Sequence, residues 1–179
     1  GSAIGPGWST GGGDPLGPPT TLPYAFIKNE GGTPSSETGP LVGVDGSGAY
    51  LYAETSSPRV EGDRYTLAYN GAACSNIGQN VSNVAFHYHM HGATMGELRV
   101  TNAAGEVVWS LSGSQGDSWQ AAVVDVDSPS FGFEYRRGSS WTGDAALALV
   151  TVSCGVAAPP PPPPAPPLPP APPPLPPSP

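Results

Sequence analysis

Proline is spread along this chain in a way that no single folded domain accommodates. Sixteen of its 25 prolines lie in the last 21 residues, Pro159–Pro179, and all 25 glycines lie before them. Beside proline, that stretch holds only Ala165, Leu168, Ala171, Leu175 and Ser178. It has no aromatic or β-branched residue with which to build a core. Proline fixes φ and lacks an N–H, so the run predicts a polyproline II rod of ~65 Å at ~3.1 Å per residue. The chain is two materials joined near residue 158, and the 158 residues before the junction suffice for one domain with a real core. Within them Gly and Pro recur every few residues, which excludes a helical bundle. No apolar run approaches the ~20 residues of a membrane-spanning helix, so no membrane insertion is expected. The expected organisation is an irregular lead-in over 1–22 with Trp8 as an anchor, a β-sandwich over 23–158 and a stalk over 159–179.

From residue 23 onward, short alternating segments recur at a spacing of ~8–12 residues, the pattern of a sandwich. Tyr50 and Tyr52 alternate with Ala49, Leu51 and Ala53. Tyr65, Leu67 and Tyr69 share a face, as do Phe86, Tyr88 and Met90. Leu98 and Val100 follow, then Val107, Trp109 and Leu111. Trp119, Ala121 and Val123 predict one face of a later strand, and Phe131, Phe133 and Tyr135 that of another. Ala145 to Cys154 is apolar on both faces, so it predicts a central strand. Turn residues separate these segments, Asn70-Gly71 and Gly143-Asp144 among them. About nine antiparallel strands are expected, in an all-β jelly-roll sandwich followed by the polyproline II tail.

Six basic residues against fourteen acidic ones give a net charge of −8, which argues against nucleic acid or an anionic membrane as a partner. Little charge, the sequon Asn80-Val81-Ser82 and two cysteines fit a secreted chain. Asn80 is a candidate N-glycosylation site. A bridge between Cys74 and Cys154 would close about 80 residues, worth ~4–5 kcal/mol on the chain-entropy model; two buried thiols are the alternative. No leader opens the chain, so a signal peptide is expected to have been removed or to lie upstream.

No catalytic constellation emerges from the residues, so the chain is expected not to be an enzyme. There is no Gly-x-Ser-x-Gly elbow and no His-Glu-x-x-His zinc motif. All three histidines lie in His87-Tyr88-His89-Met90-His91. On a strand they share a face, but the outer two stand about 13 Å apart, too far for one metal ion. No metal and no cofactor are therefore expected. Asp125 and Asp127 share an exposed face and read as a solvated pair. Among the aromatics, Trp109 and Trp119 fit core alternation, whereas Trp141 follows Gly138-Ser139-Ser140 in a loop. Trp141, with Tyr135 and Arg136, is the candidate contact surface.

At Phe86-His87-Tyr88-His89-Met90-His91-Gly92 and Gly96-Glu97-Leu98 the sequence resembles the MAM domain, the extracellular module of meprins, neuropilins and receptor-type tyrosine phosphatases. Three more segments keep the family order. They are Gly46-Ser47-Gly48-Ala49-Tyr50-Leu51-Tyr52-Ala53-Glu54-Thr55-Ser56, which follows Thr38-Gly39-Pro40, then Gly113-Ser114-Gln115-Gly116-Asp117-Ser118-Trp119 and Gly143-Asp144-Ala145-Ala146-Leu147. The resemblance runs over roughly residues 24–154 and implies a jelly-roll fold and a role in adhesion or assembly. It also implies that Cys74 and Cys154 pair. An N-terminal cysteine pair common in the family is missing, and paired acids after Ala-Leu are replaced by Ala148 and Leu149. Related jelly rolls hold a structural cation near such acids. Asp45, Glu54 and Asp144 remain here, short of a cage of 6–8 oxygens.

The tail is similar to the spacers of hydroxyproline-rich cell-wall glycoproteins. That likeness makes Pro160, Pro161, Pro162, Pro163 and Pro164 candidates for hydroxylation and O-glycosylation. The expectation is an extracellular adhesive or structural glycoprotein module of a wall or matrix, its partners being extracellular proteins, copies of itself or wall glycans. Tails that pack on neighbouring domains would build a filament. The alternative is a carbohydrate-binding accessory domain of a secreted enzyme such as a protease.

Overall fold

The computed structural model describes residues 5–156. The expected rod over Pro159–Pro179, and with it Pro160–Pro164, lies outside the described residues.

Alternating side chains build eleven strands and one four-residue helix. In chain order they are β1 Trp8–Thr10, β2 Tyr24–Ala25, β3 Ile27–Glu30, β4 Ala49–Tyr52, β5 Arg64–Tyr69, α1 Ala72–Ser75, β6 Asn80–Met90, β7 Glu97–Asn102, β8 Val107–Ser112, β9 Gln120–Ser128, β10 Phe131–Arg136 and β11 Ala145–Gly155. One sheet runs β1-β5-β10-β7-β8, with β2 also on β5, and the other runs β3-β4-β11-β6-β9. Every pairing is antiparallel except β2 with β5. The jelly-roll sandwich is thus as expected, and β11 is central in its sheet.

The count exceeds nine because residues 8–30 supply three short strands. The segment expected to be irregular begins inside the fold: Trp8 pairs with Tyr69 across the ladder, and its ring packs on Tyr69 and Phe131 at 4.9 and 5.7 Å. The Arg59 guanidinium lies 4.0 Å from the centroid of the Tyr24 ring and donates to the Gly17 carbonyl, which pins the rest of that segment.

Tyr65, Leu67, Val84, Phe86, Leu98, Val100, Phe133, Tyr135 and Leu147 fill the space between the sheets. Burying one such side chain is worth ~1.5–3 kcal/mol. A bulge between Val81 and Asn83 shifts the phase of β6, so that Val81 and then Val84, Phe86, Tyr88 and Met90 all point inward. The expected inward face of β9 is corrected. Val123 is 71% exposed, and Val124, Val126 and Ser128 face the core instead. Asp125 and Asp127 are exposed, as expected; Val123 lies on their face, because residues two apart on a strand point the same way.

Cys74 on α1 is bonded to Cys154 at the end of β11, closing a loop with a sequence separation of 80. The helix exists because Gly71 adopts φ 74° and turns the chain directly after β5.

Candidate functional site

The outer face of the second sheet is not left to solvent. Tyr50, Tyr52, Ala146 and Ala148 form a small core there, covered by Ile27, Val44 and Trp119. The Trp119 indole N–H donates to the Val42 carbonyl at 2.9 Å, and its ring meets Tyr50 and His89 at 5.7 and 5.5 Å. Trp109 packs on Phe86 and Tyr88 at 5.4 and 5.6 Å. Both rings are therefore engaged in packing and do not form an open stacking platform.

The three histidines divide by environment. His89 is buried under the Pro40–Val44 loop and Trp119, and burial lowers its pKa against the opposing pull of Asp117. Asp117 Oδ1 lies 3.3 Å from His89 Nε2 and 3.6 Å from His91 Nδ1. Among the described residues, no three His, Cys, Asp or Glu side chains gather where they could hold a metal ion.

Beside this face lies a buried polar knot. Asp144 is fully buried, and its Oδ1 accepts from the Thr55 amide and hydroxyl at 2.9 and 2.8 Å. Its amide donates to Thr38 Oγ1 at 2.8 Å, and Thr38 donates to the His91 carbonyl at 3.0 Å. Glu54 accepts from Tyr52 and from the Ser56 amide, while Arg137 donates to the Thr55 carbonyl. Four chain segments are tied at one point. Burial, with Glu54 nearby, pushes the Asp144 carboxyl up to about 7 against the hydrogen bonds from Thr55.

The knot also tests the cation that related jelly rolls imply. Asp144 Oδ2 has no hydrogen-bond partner, so one carboxylate oxygen is free. Both Glu54 oxygens are occupied, and Asp45 is exposed and not gathered with the other two. One free oxygen does not make a site of 6–8 ligands, so the residues present do not fit a calcium cage.

The proposed contact trio does not hold together. Tyr135 is fully buried; its hydroxyl donates to the Gly143 carbonyl and accepts from the Gly96 amide at 2.8 Å. It belongs to the core because β10 alternates inward at Phe131, Phe133 and Tyr135. Arg136 lies on the opposite face, where its Nε bonds Glu134 at 2.7 Å. Trp141 is 42% exposed and remains a surface candidate. Asn80 is half-buried at the start of β6. Sequence reasoning missed the roles of Thr38, Thr55 and Arg137, because nothing local marks a polar residue that the fold buries.

Comparison with known proteins agrees with this geometry. The family model "MAM domain, meprin/A5/mu" matches residues 27–154. MAM domain-containing glycosylphosphatidylinositol anchor protein 1 of Gallus gallus is 40% identical over 129 residues, 66% of this chain and 13% of that protein. Its Homo sapiens counterpart is 38% identical over 136 residues, 68% of this chain and 14% of that protein. The chain thus spans about a seventh of the relatives it matches. Among solved structures, the K1 cleaved adhesin domain of Lys-gingipain from Porphyromonas gingivalis W83 superposes with a TM-score of 0.53. That match covers 85% of this chain and 93% of the other, at 14% identity, and it concerns the fold alone. Sandwich, disulfide, ordered motifs and family match coincide over the same residues, and the chain belongs to the MAM domain family.

Proposed function

We propose that this chain is a non-enzymatic adhesion module that works outside the cell. The observation that carries it is the MAM match over residues 27–154 to proteins named for MAM domains and a glycosylphosphatidylinositol anchor. The disulfide between Cys74 and Cys154 supports an oxidising compartment. Among the described residues, no helix is long and apolar enough to cross a membrane. The net charge of −8 favours protein partners over anionic ones. The finer reading is a structural unit of a wall or matrix, presented on its proline-rich segment and joined to copies of itself.

The test is retention of the full, oxidised chain on matrix-bearing cell surfaces. Retention above that of an unrelated protein of equal net charge is expected. Equal retention of the two would overturn the reading.

A further inference from the structure

We propose that a cleft beside β1, β3 and β11 is a docking groove for the proline-rich segment Pro159–Pro179 of a neighbouring copy. The proposal rests on the reading of the chain as an adhesive module and names what one of its surfaces grips.

The cleft arises where two sheets meet unequally. β4 pairs with β11 only at Tyr52–Ala146 and Leu51–Leu147. Beyond Leu147, the central strand therefore has no partner on that side among the described residues, although β6 accompanies its other side as far as Gly155. The opening measures about 260 Å³; Trp8, Leu51, Leu149 and Val150 present surface to it, over a floor of buried Tyr50, Leu67 and Leu147. Among the described residues, Lys28 is the one charged residue that lines it. At the opening, Leu149 is held at φ 49° beside a bulge between Ala148 and Thr151, and its side chain is 58% exposed. That backbone conformation suits Gly, Asn or Asp and is uncommon for a bulky residue. A leucine there keeps both local strain and an apolar group in water, which a ligand covering the cleft would offset.

The chemistry of the groove selects its occupant. Proline-rich segments dock in aromatic-lined grooves as preformed polyproline II helices. Pro159–Pro179 has sixteen prolines and no charge. The folded part of each copy carries all of the −8 charge, so two copies repel where domain meets domain. The neutral segment is the part that approaches another domain without that repulsion. A neighbouring copy must supply it, because β11 leads away from the cleft toward Gly155. Six consecutive prolines, Pro159–Pro164, then follow after only Val156, Ala157 and Ala158.

The experiment is sedimentation equilibrium of the full chain, with calorimetric titration of a synthetic peptide spanning residues 159–179. Leu149→Asp places a charge in the groove at a φ that Asp tolerates. Leu149→Gly removes the side chain while relieving the backbone. Val123→Asp, on the exposed face of β9, is the control. Wild type and Val123→Asp are expected to self-associate and to bind the peptide. Both Leu149 variants, unchanged in circular dichroism, should do so at least tenfold more weakly. The proposal is overturned if the Leu149 variants associate like wild type, if Val123→Asp alone disrupts association, or if wild type neither associates nor binds the peptide. A chain that is retained on matrix yet fails these tests loses the groove and keeps its adhesive role; one that passes them without retention does the reverse.

Discussion

Asp144 is the residue on which pH should act. Its carboxyl sits at about 7 in the fold against 3.8 as the ordinary value, with burial as the main cause. A group whose pKa rises on folding adds stability below its unfolded value and loses that contribution as pH climbs toward the folded one. Stability from this residue should therefore fall between about pH 4 and pH 7 by a few kcal/mol, because each tenfold change in proton affinity is worth about 1.4 kcal/mol. Asp144→Asn keeps the shape and the acceptor for Thr55 but does not ionise. Its urea midpoint should match wild type near pH 4 and exceed it at pH 8, with a flatter profile between. A parallel profile for the two proteins would show that Asp144 stays ionised in the fold.

At the scale of elements, close backbone approach decides more than side-chain choice. A Cβ on Gly96, just before β7, would lie 1.8 Å from the Arg136 carbonyl and 2.7 Å from the Gly138 amide. Gly105, by contrast, has a left-handed φ, 81°, and open space around it. Gly96→Ala should cost at least ~3 kcal/mol, because only backbone could move aside. Gly105→Ala should cost ~1 kcal/mol for its φ alone. Thermal or urea unfolding of the two variants separates these effects. The same scale shows what was legible in the sequence. Strands β4 to β8 and β10 were readable because Tyr, Phe, Leu and Val alternate along them, and β11 because its apolar run marks a central strand. The phase of β9 was not, since Ala121, Ala122, Val123 and Val124 are apolar on both faces and only tertiary contacts choose between them. β1 and β2 were hidden by their two- and three-residue lengths. The site was less legible than the fold. The alternation of Phe131, Phe133 and Tyr135 already speaks for an inward Tyr135 and against its use as a contact residue, whereas nothing local reveals that the Pro40–Val44 loop covers His89.

For the whole molecule, charge and the groove make opposite demands. Each copy carries −8, and repulsion between copies is screened within about 10 Å at 0.1 M salt. Contact between an apolar cleft and an uncharged segment has little to lose from screening. Self-association of the full chain should therefore strengthen, or at least hold, when sodium chloride is raised from about 0.05 to about 0.5 M. Association built on ion pairs would weaken over the same range, and sedimentation at the two concentrations distinguishes them.

The bridge between Cys74 and Cys154 ends one residue before β11 does, next to the point where the proline-rich segment leaves the domain. Tension drawn through that segment enters the fold at this covalent junction. Without the bridge, such a pull would peel β11 from β6 from its end, one ladder bond at a time. With it, the load passes into α1, and the separation of 80 residues between the two cysteines cannot be released as slack. Fully stretched, that length would be about 270 Å at roughly 3.3–3.6 Å per residue. The cross-link thus makes the domain a short, stiff tether point, suited to a chain that is pulled on by what it holds.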